Sequence, residues 1–265
     1  MENSDNLWPA IKVLLLLLLL IATARFFIYS LGLEGQLFTT VHDLATLVLV
    51  LTIYLHMFFV LGKTAAFFII LAFSSGLVAE LSGVLYGVPF GKYHYTDVLT
   101  ATWPSILGLV PLCVPLMWSA LIYASYSATN LLVRRRGAPP YLLSCIDAAY
   151  LVAFDLLLDP IAVKVGLWVW HEEGPYFGVP LSNFAGWFLV TYLTTLVYRL
   201  IAGGEEEYPR GQRGAVPGLA LTCFILILFM DSISLGEPIL ALVSVLVGAL
   251  FMAAVFIEVR EFQEV

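Results

Sequence analysis

ELSGVLYGVPFGKYHYTDVLTATWPSILGLVPLCVPLMW, from Glu80 to Trp118, returns later in the chain as DLLLDPIAVKVGLWVWHEEGPYFGVPLSNFAGW, from Asp155 to Trp187. The two runs share a frame: Glu80 lies eleven residues before Gly91, and Asp155 lies eleven before Gly166. Aromatics follow each glycine at the second and fourth places, Tyr93 and Tyr95 in the first copy and Trp168 and Trp170 in the second. A second anchor repeats as well. Gly108, Val110 and Pro111 match Gly178, Val179 and Pro180 to within one residue, and Trp118 and Trp187 each fall seven residues after the proline. Each copy opens on an acid in an apolar run, crosses an aromatic loop and ends in a second apolar run.

Composition says where such runs belong. With 61% hydrophobic and 12% charged residues, the chain has too little polar material to wet the surface of a water-soluble domain. It reads as one integral membrane domain over residues 1–265, an all-α, polytopic bundle. A crossing takes about 20 apolar residues, so this length holds roughly eight helices. The apolar segments are 8–31, 37–60, 65–87, 104–130, 141–166, 184–202, 215–233 and 238–257. The repeat copies, about 65–130 and 141–202, then cover helices three and four and helices five and six. They enter the membrane in the same direction, a parallel duplication.

Lys and Arg concentrate in cytoplasmic loops. With the N-terminus inside, the cytoplasmic side carries nine basic residues (Lys12, Lys63, Arg134, Arg135, Arg136, Arg199, Arg210, Arg213, Arg260) and the outer half three (Arg25, Lys92, Lys164). Both termini are therefore expected in the cytoplasm, with the chain in the cell membrane. Ala22-Thr23-Ala24 resembles a signal-peptidase site, but Glu2 and Asp5 precede the first apolar run where a positive cluster would stand, which favours a retained helix. The inner loops, among them Gly203–Gly214 with Glu205, Glu206 and Glu207, are charged connectors. The outer loops, 88–103 and 167–183, are rich in aromatics, Gly and Pro. They suit either re-entrant or interfacial packing, or an aromatic belt at headgroup level.

Ionisable groups inside apolar helices are costly and are functional candidates by default. Asp43 with His42, Glu80, Asp155, Asp159 and Asp231 all fall in outer halves of helices and are expected to converge on one pocket below the aromatic loops. Asp155 and Asp159 share a helical face, and Pro160 frees a backbone carbonyl beside them. Acids in a dry pocket hold their protons and serve as donors; the alternative is that Glu80 and Asp155 only bond neighbouring helices. Four histidines (His42, His56, His94, His171) show no metal-ligand spacing, so no metal is expected. Cys113, Cys145 and Cys223 read as packing residues. Without a basic patch or a phosphate loop, neither nucleic acid nor a phosphorylated substrate is expected.

The run GVPFGKYHYTD, the following GLVPLCVPLMW, and the later GLWVW with GPYFGVPLSNFAGW resemble the CruF-type carotenoid biosynthesis family, which includes bisanhydrobacterioruberin and monocyclic carotene hydratases. The likeness covers about Leu37 to Phe256. It implies hydration of the terminal isoprenoid double bond of an acyclic carotenoid, giving a tertiary alcohol, with no cofactor. Markovnikov addition needs an acid, a surface that tolerates a tertiary cation and one water. The resemblance makes Glu80, Asp155 and Asp159 the acid and water-handling groups, Asp155 being the first candidate donor. Tyr93, Tyr95, Trp168 and Trp170 would line the cation site, with Asn183, Trp118 and Trp187 also against the substrate. The implied partners are the carotenoid, the lipid bilayer and other membrane enzymes of the same pathway. A non-catalytic carotenoid or lipid carrier and a proton-coupled transporter are the competing classes.

Overall fold

The computed structural model describes residues 7–32, 36–133, 138–202 and 213–263. Its long helices are α1 (Trp8–Ser30), α2 (Gln36–Leu61), α3 (Thr64–Tyr86), α5 (Cys113–Val133), α6 (Pro140–Lys164), α7 (Leu181–Ala202), α8 (Val216–Ser234) and α9 (Pro238–Gln263). Between them lie β1 (Tyr93–Tyr95), a one-turn α4 (Asp97–Thr100), β2 (Ser105–Ile106), β3 (Val110–Pro111) and β4 (Trp168–Trp170). Seven of the long helices, all but α5, are long and apolar enough to cross a bilayer. The chain is a multi-pass membrane protein.

Local chemistry sets the helix ends. Prolines stand in the first turn of α1, α6 and α8, where a missing N–H costs nothing because no carbonyl awaits it. Gly87 ends α3 in the left-handed region (φ 77°), its N–H returning to the Gly83 carbonyl. Inside α6, Pro160 leaves the Leu156 carbonyl without a helical donor, and the Tyr176 hydroxyl donates to it at 3.0 Å. The freed carbonyl expected from the sequence thus pins the second aromatic loop to α6.

The fourth apolar segment departs from expectation. Residues 104–112 form the β2–β3 hairpin rather than a helix, and α5 starts only at Cys113. Pro104 and Pro111 flank a turn in which Leu107 and Gly108 both have positive φ (53° and 68°), which no α-helix accommodates. An apolar run alone does not distinguish the two.

α5 is the axis of the bundle. It packs against α2, α3, α6, α8 and α9, and residues 118–129 are buried around its whole circumference. A helix with no lipid-facing stripe can carry Ser119, Ser125, Ser127 and Thr129, all of them buried. Gly76 lets α3 approach it: a Cβ there would lie 2.6 Å from the Trp118 side chain.

β1 and β4 join the two aromatic loops in an antiparallel ladder, Tyr93 opposite Trp170 and Tyr95 opposite Trp168. Exchanging the matched positions of the two sequence copies maps this ladder onto itself. Below it Trp118 and Trp187, also matched, stack at 4.0 Å. At the other end of the bundle Arg199 of α7 holds both carboxylate oxygens of Asp147 on α6 at 2.9 Å and donates to Asn130 on α5. Arg199, counted among the loop cations, is therefore a buried partner. Arg134, Arg135, Arg136, Arg210, Glu2, Asp5 and Glu205–Glu207 lie outside the described residues, as does the Arg260 side chain.

Removing one partner of a buried ion pair strands the other. Arg199→Ala is expected to cost about 3–5 kcal/mol, read as a lower unfolding midpoint in detergent. Adding Asp147→Ala should recover part of that loss; a double variant no more stable than the single would contradict it.

Candidate active site

Beneath the ladder lies a cavity of about 140 Å³, against about 10–15 Å³ needed to hold one water on the same measure. Glu80 and Asp159 line it, as do His42 and Asp43 from α2 and Asn183 from α7. So do Tyr93, Tyr95, Trp118, Trp168, Trp170 and Trp187. The lining therefore combines a few convergent polar groups with an aromatic wall.

Glu80, on the last turns of α3, is 5% exposed and accepts three hydrogen bonds. Tyr93 and Tyr95 donate their hydroxyls to Oε2, the latter at 2.5 Å, and Trp118 Nε1 donates to Oε1 at 2.7 Å. Alternation along β1 explains the convergence: Tyr93 and Tyr95, two residues apart, share one face of the strand. Both rings are thereby turned down onto the carboxylate. All three donors have aromatic bodies, so the group that satisfies Glu80 is also the wall of the cavity.

The second acidic centre is built differently. Asp155 and Asp159 lie one turn apart on α6, and Asn183, in the first turn of α7, bridges them: its Nδ2 donates to Asp155 Oδ2 at 2.8 Å and to Asp159 Oδ2. Asp159 faces the cavity, whereas Asp155 is wholly buried and does not line it. Asp155 Oδ1 accepts no hydrogen bond among the described residues, nor does Trp170 Nε1 donate one. No cation is paired with either aspartate among those residues. Two carboxyl groups thus meet on one amide with no counter-charge among the described residues.

A third polar group stands against α2. His42 Nε2 meets Asp231 Oδ2 at 2.6 Å, and Arg25 Nε donates to Asp231 Oδ1 at 2.9 Å. Arg25 and Asp231 are fully buried. Beside them Asp43 Oδ1 accepts from Trp103 Nε1 at 2.6 Å. Of the acids expected to converge, Glu80, Asp159 and Asp43 reach the cavity, while Asp155 and Asp231 lie one layer behind it. All seven of the aromatic and amide positions singled out for the substrate line it. His94 and His171 pair at 3.3 Å on the outer surface of the ladder, and His56 lies at the other end against Tyr123 and the Arg213 carbonyl.

Sequence reasoning missed Arg25 and Trp103. Arg25 sits in an apolar run, so the rule that singles out Asp231 applies equally to it, whereas the basic-residue count places it only among the outer-half cations. For Trp103 there was no signal, since nothing in its spacing ties it to Asp43 sixty residues away.

Residues 39–255 match the model of the family described as "Carotenoid biosynthesis protein". The chain belongs to this family. Among curated proteins it is 34% identical over 119 residues to a bisanhydrobacterioruberin hydratase of Haloarcula japonica, an alignment spanning 45% of this chain and 39% of that protein. No solved structure matches the chain. The family match takes in both acidic centres, the ladder and the α2 group, but not α1 with Arg25.

The ladder phenols give a direct test of the geometry. Burial first, then the Glu80 carboxylate beside each, pushes Tyr93 and Tyr95 well above the ordinary phenol value of 10. The folded state therefore keeps protons that the unfolded chain releases above pH 10. Their contribution is intact below that pH and should fall by up to about 1.4 kcal/mol per pH unit per phenol above it. Alkaline unfolding should be shallower in Tyr93→Phe/Tyr95→Phe than in wild type, and tyrosinate absorbance from these rings should appear only with unfolding. An identical pH dependence in the variant would show that the rings are not so placed.

Proposed function

We propose that the protein is a carotenoid hydratase, adding water across the terminal isoprenoid double bond of an acyclic carotenoid to give a tertiary alcohol without a cofactor. The observation that carries this reading is the meeting of an Asn-bridged carboxyl pair and a triply bonded carboxylate in one aromatic-walled cavity of a carotenoid-biosynthesis protein. The relative from Haloarcula, named a hydratase, supports it independently.

The two acidic centres divide the work. The Asp155–Asp159 pair shares a proton, and Asp159 is the member facing the cavity, so Asp159 takes the donor role first sought at Asp155. It protonates the less substituted alkene carbon. Asp155, behind Asn183, supports the anion that remains. Glu80 is a poor donor, because three O–H and N–H groups already point at its two oxygens. It instead sets a negative charge behind rings whose faces stabilise a tertiary cation by about 0.5–2 kcal/mol each. Trp170 Nε1 is a donor available to the new hydroxyl. The polyene extends from the cavity among apolar helices and lipid.

We read the pocket as the product of a parallel duplication, since the ladder pairs Tyr93–Trp170 and Tyr95–Trp168 exchange under the sequence match and the matched Trp118 and Trp187 stack on each other. We also read both termini as cytoplasmic, on the basic residues at one end of the bundle. Lys63, exposed between α2 and α3, tests the latter. A membrane-impermeant thiol reagent should label Lys63→Cys only after the cells are opened; labelling of intact cells would reverse the orientation.

In a host that accumulates an acyclic carotene, expression should raise the pigment mass by one water. Asp159→Asn should lower conversion by about 10²–10⁴-fold with the protein still folded. Unchanged pigment on expressing the wild type would end the hydratase reading in favour of a carrier or transporter.

A further inference from the structure

Resting on the hydratase reading, we propose that Asp43 is the catalytic base that takes the proton of the attacking water, and that Trp103 positions it. Proton donation and water capture need separate groups on one cavity, and each of the other acids is committed. Both oxygens of Glu80 are occupied by donors. Asp159 spends its role as the acid, Asp155 does not reach the cavity, and Asp231 is held by Arg25 and His42. Asp43 lines the cavity from α2, opposite in the chain to the α6 acids. Its Oδ1 is fixed by the Trp103 indole at 2.6 Å, and no other hydrogen bond or ion pair engages the carboxylate among the described residues. Oδ2 therefore accepts no hydrogen bond among the described residues and keeps its capacity for a water.

Asp43 is also only half-buried, unlike Glu80, Asp155 and Asp159. Water can reach it while the rest of the site stays dry. Trp103 supplies rigidity: a ring has two torsions to lose, and its N–H fixes which oxygen of Asp43 points away from it.

The step balances as follows. The π pair of the alkene takes the proton of Asp159, forming a C–H bond and leaving a tertiary cation. A water oxygen forms the C–O bond, and one of its protons passes to Asp43 Oδ2. Net addition is one water; the site resets when the proton on Asp43 returns to Asp159 through water.

Separating the two half-reactions tests the assignment. Membranes carrying the full chain are supplied with an acyclic carotene in D₂O, and both hydrated product and deuterium in unhydrated carotene are measured by mass. Asp43→Asn should lose hydration by about 10²–10⁴-fold yet still exchange deuterium, because Asp159 continues to protonate the alkene and take the proton back. Asp159→Asn should lose both. Asp43→Glu should regain part of the hydration, and Trp103→Phe should lower it less than Asp43→Asn. Asp43→Asn that hydrates like wild type, or that unfolds or loses exchange along with hydration while Asp43→Glu does the same, overturns the assignment. A wild-type protein that does neither overturns the hydratase reading itself.

Discussion

Everything at the ladder end of the bundle depends on satisfying one carboxylate in an apolar setting. A buried carboxylate without partners is far too costly to keep, so Glu80 on α3 dictates what surrounds it. Its donors come from β1 and α5, which ties a loop and the central helix to the end of α3. Because Tyr93 and Tyr95 are held from below, β1 is fixed in height, and β4 is fixed with it through the ladder. The irregular backbone of both outer loops is then covered by protein, the condition under which such backbone survives near hydrocarbon. Thr96 extends the clasp by donating to the Gly166 carbonyl at the far end of α6.

The same logic explains the second loop. Pro160 removes one N–H from α6 next to two aspartates, and the resulting carbonyl takes the Tyr176 hydroxyl. Asn183 closes the other side of the gap. Thus a helix defect, a loop tyrosine and the first turn of the next helix converge within the width of one turn of α6. The carboxyl pair is held rigid by an amide rather than by a counter-charge, which suits the proposed release and return of a proton.

The helices were legible because an apolar crossing needs about 20 residues and leaves a mark in composition alone. The β2–β3 hairpin was not, since Ser105–Pro111 is as apolar as a helix and only its backbone angles reveal it. In the site, the sequence showed which acids are out of place and which aromatics recur with them, and those residues do gather at one cavity. It could not show partners. That Trp118 bonds Glu80 and Asn183 bonds both aspartates depends on helix rotation and crossing, which periodicity leaves open. Rank within the site was equally hidden: Asp155 and Asp159 share a face of α6, yet a single turn separates the residue at the cavity from the one behind it.

The carboxyls that stand eleven residues before each glycine show how two similar halves come to do different things. Glu80 carries one more methylene than Asp155, enough to reach up to two phenols and across to an indole. Asp155 is shorter and has an aspartate one turn on, so it meets an amide and another acid instead. One half ends as an acceptor of three hydrogen bonds, the other as a pair of carboxyls on one amide. The proposed alkene hydration would demand such inequality, because one carbon must gain a proton while the other bears positive charge. Two identical halves would offer the same group to both carbons; the difference of one methylene and one neighbouring acid removes that degeneracy.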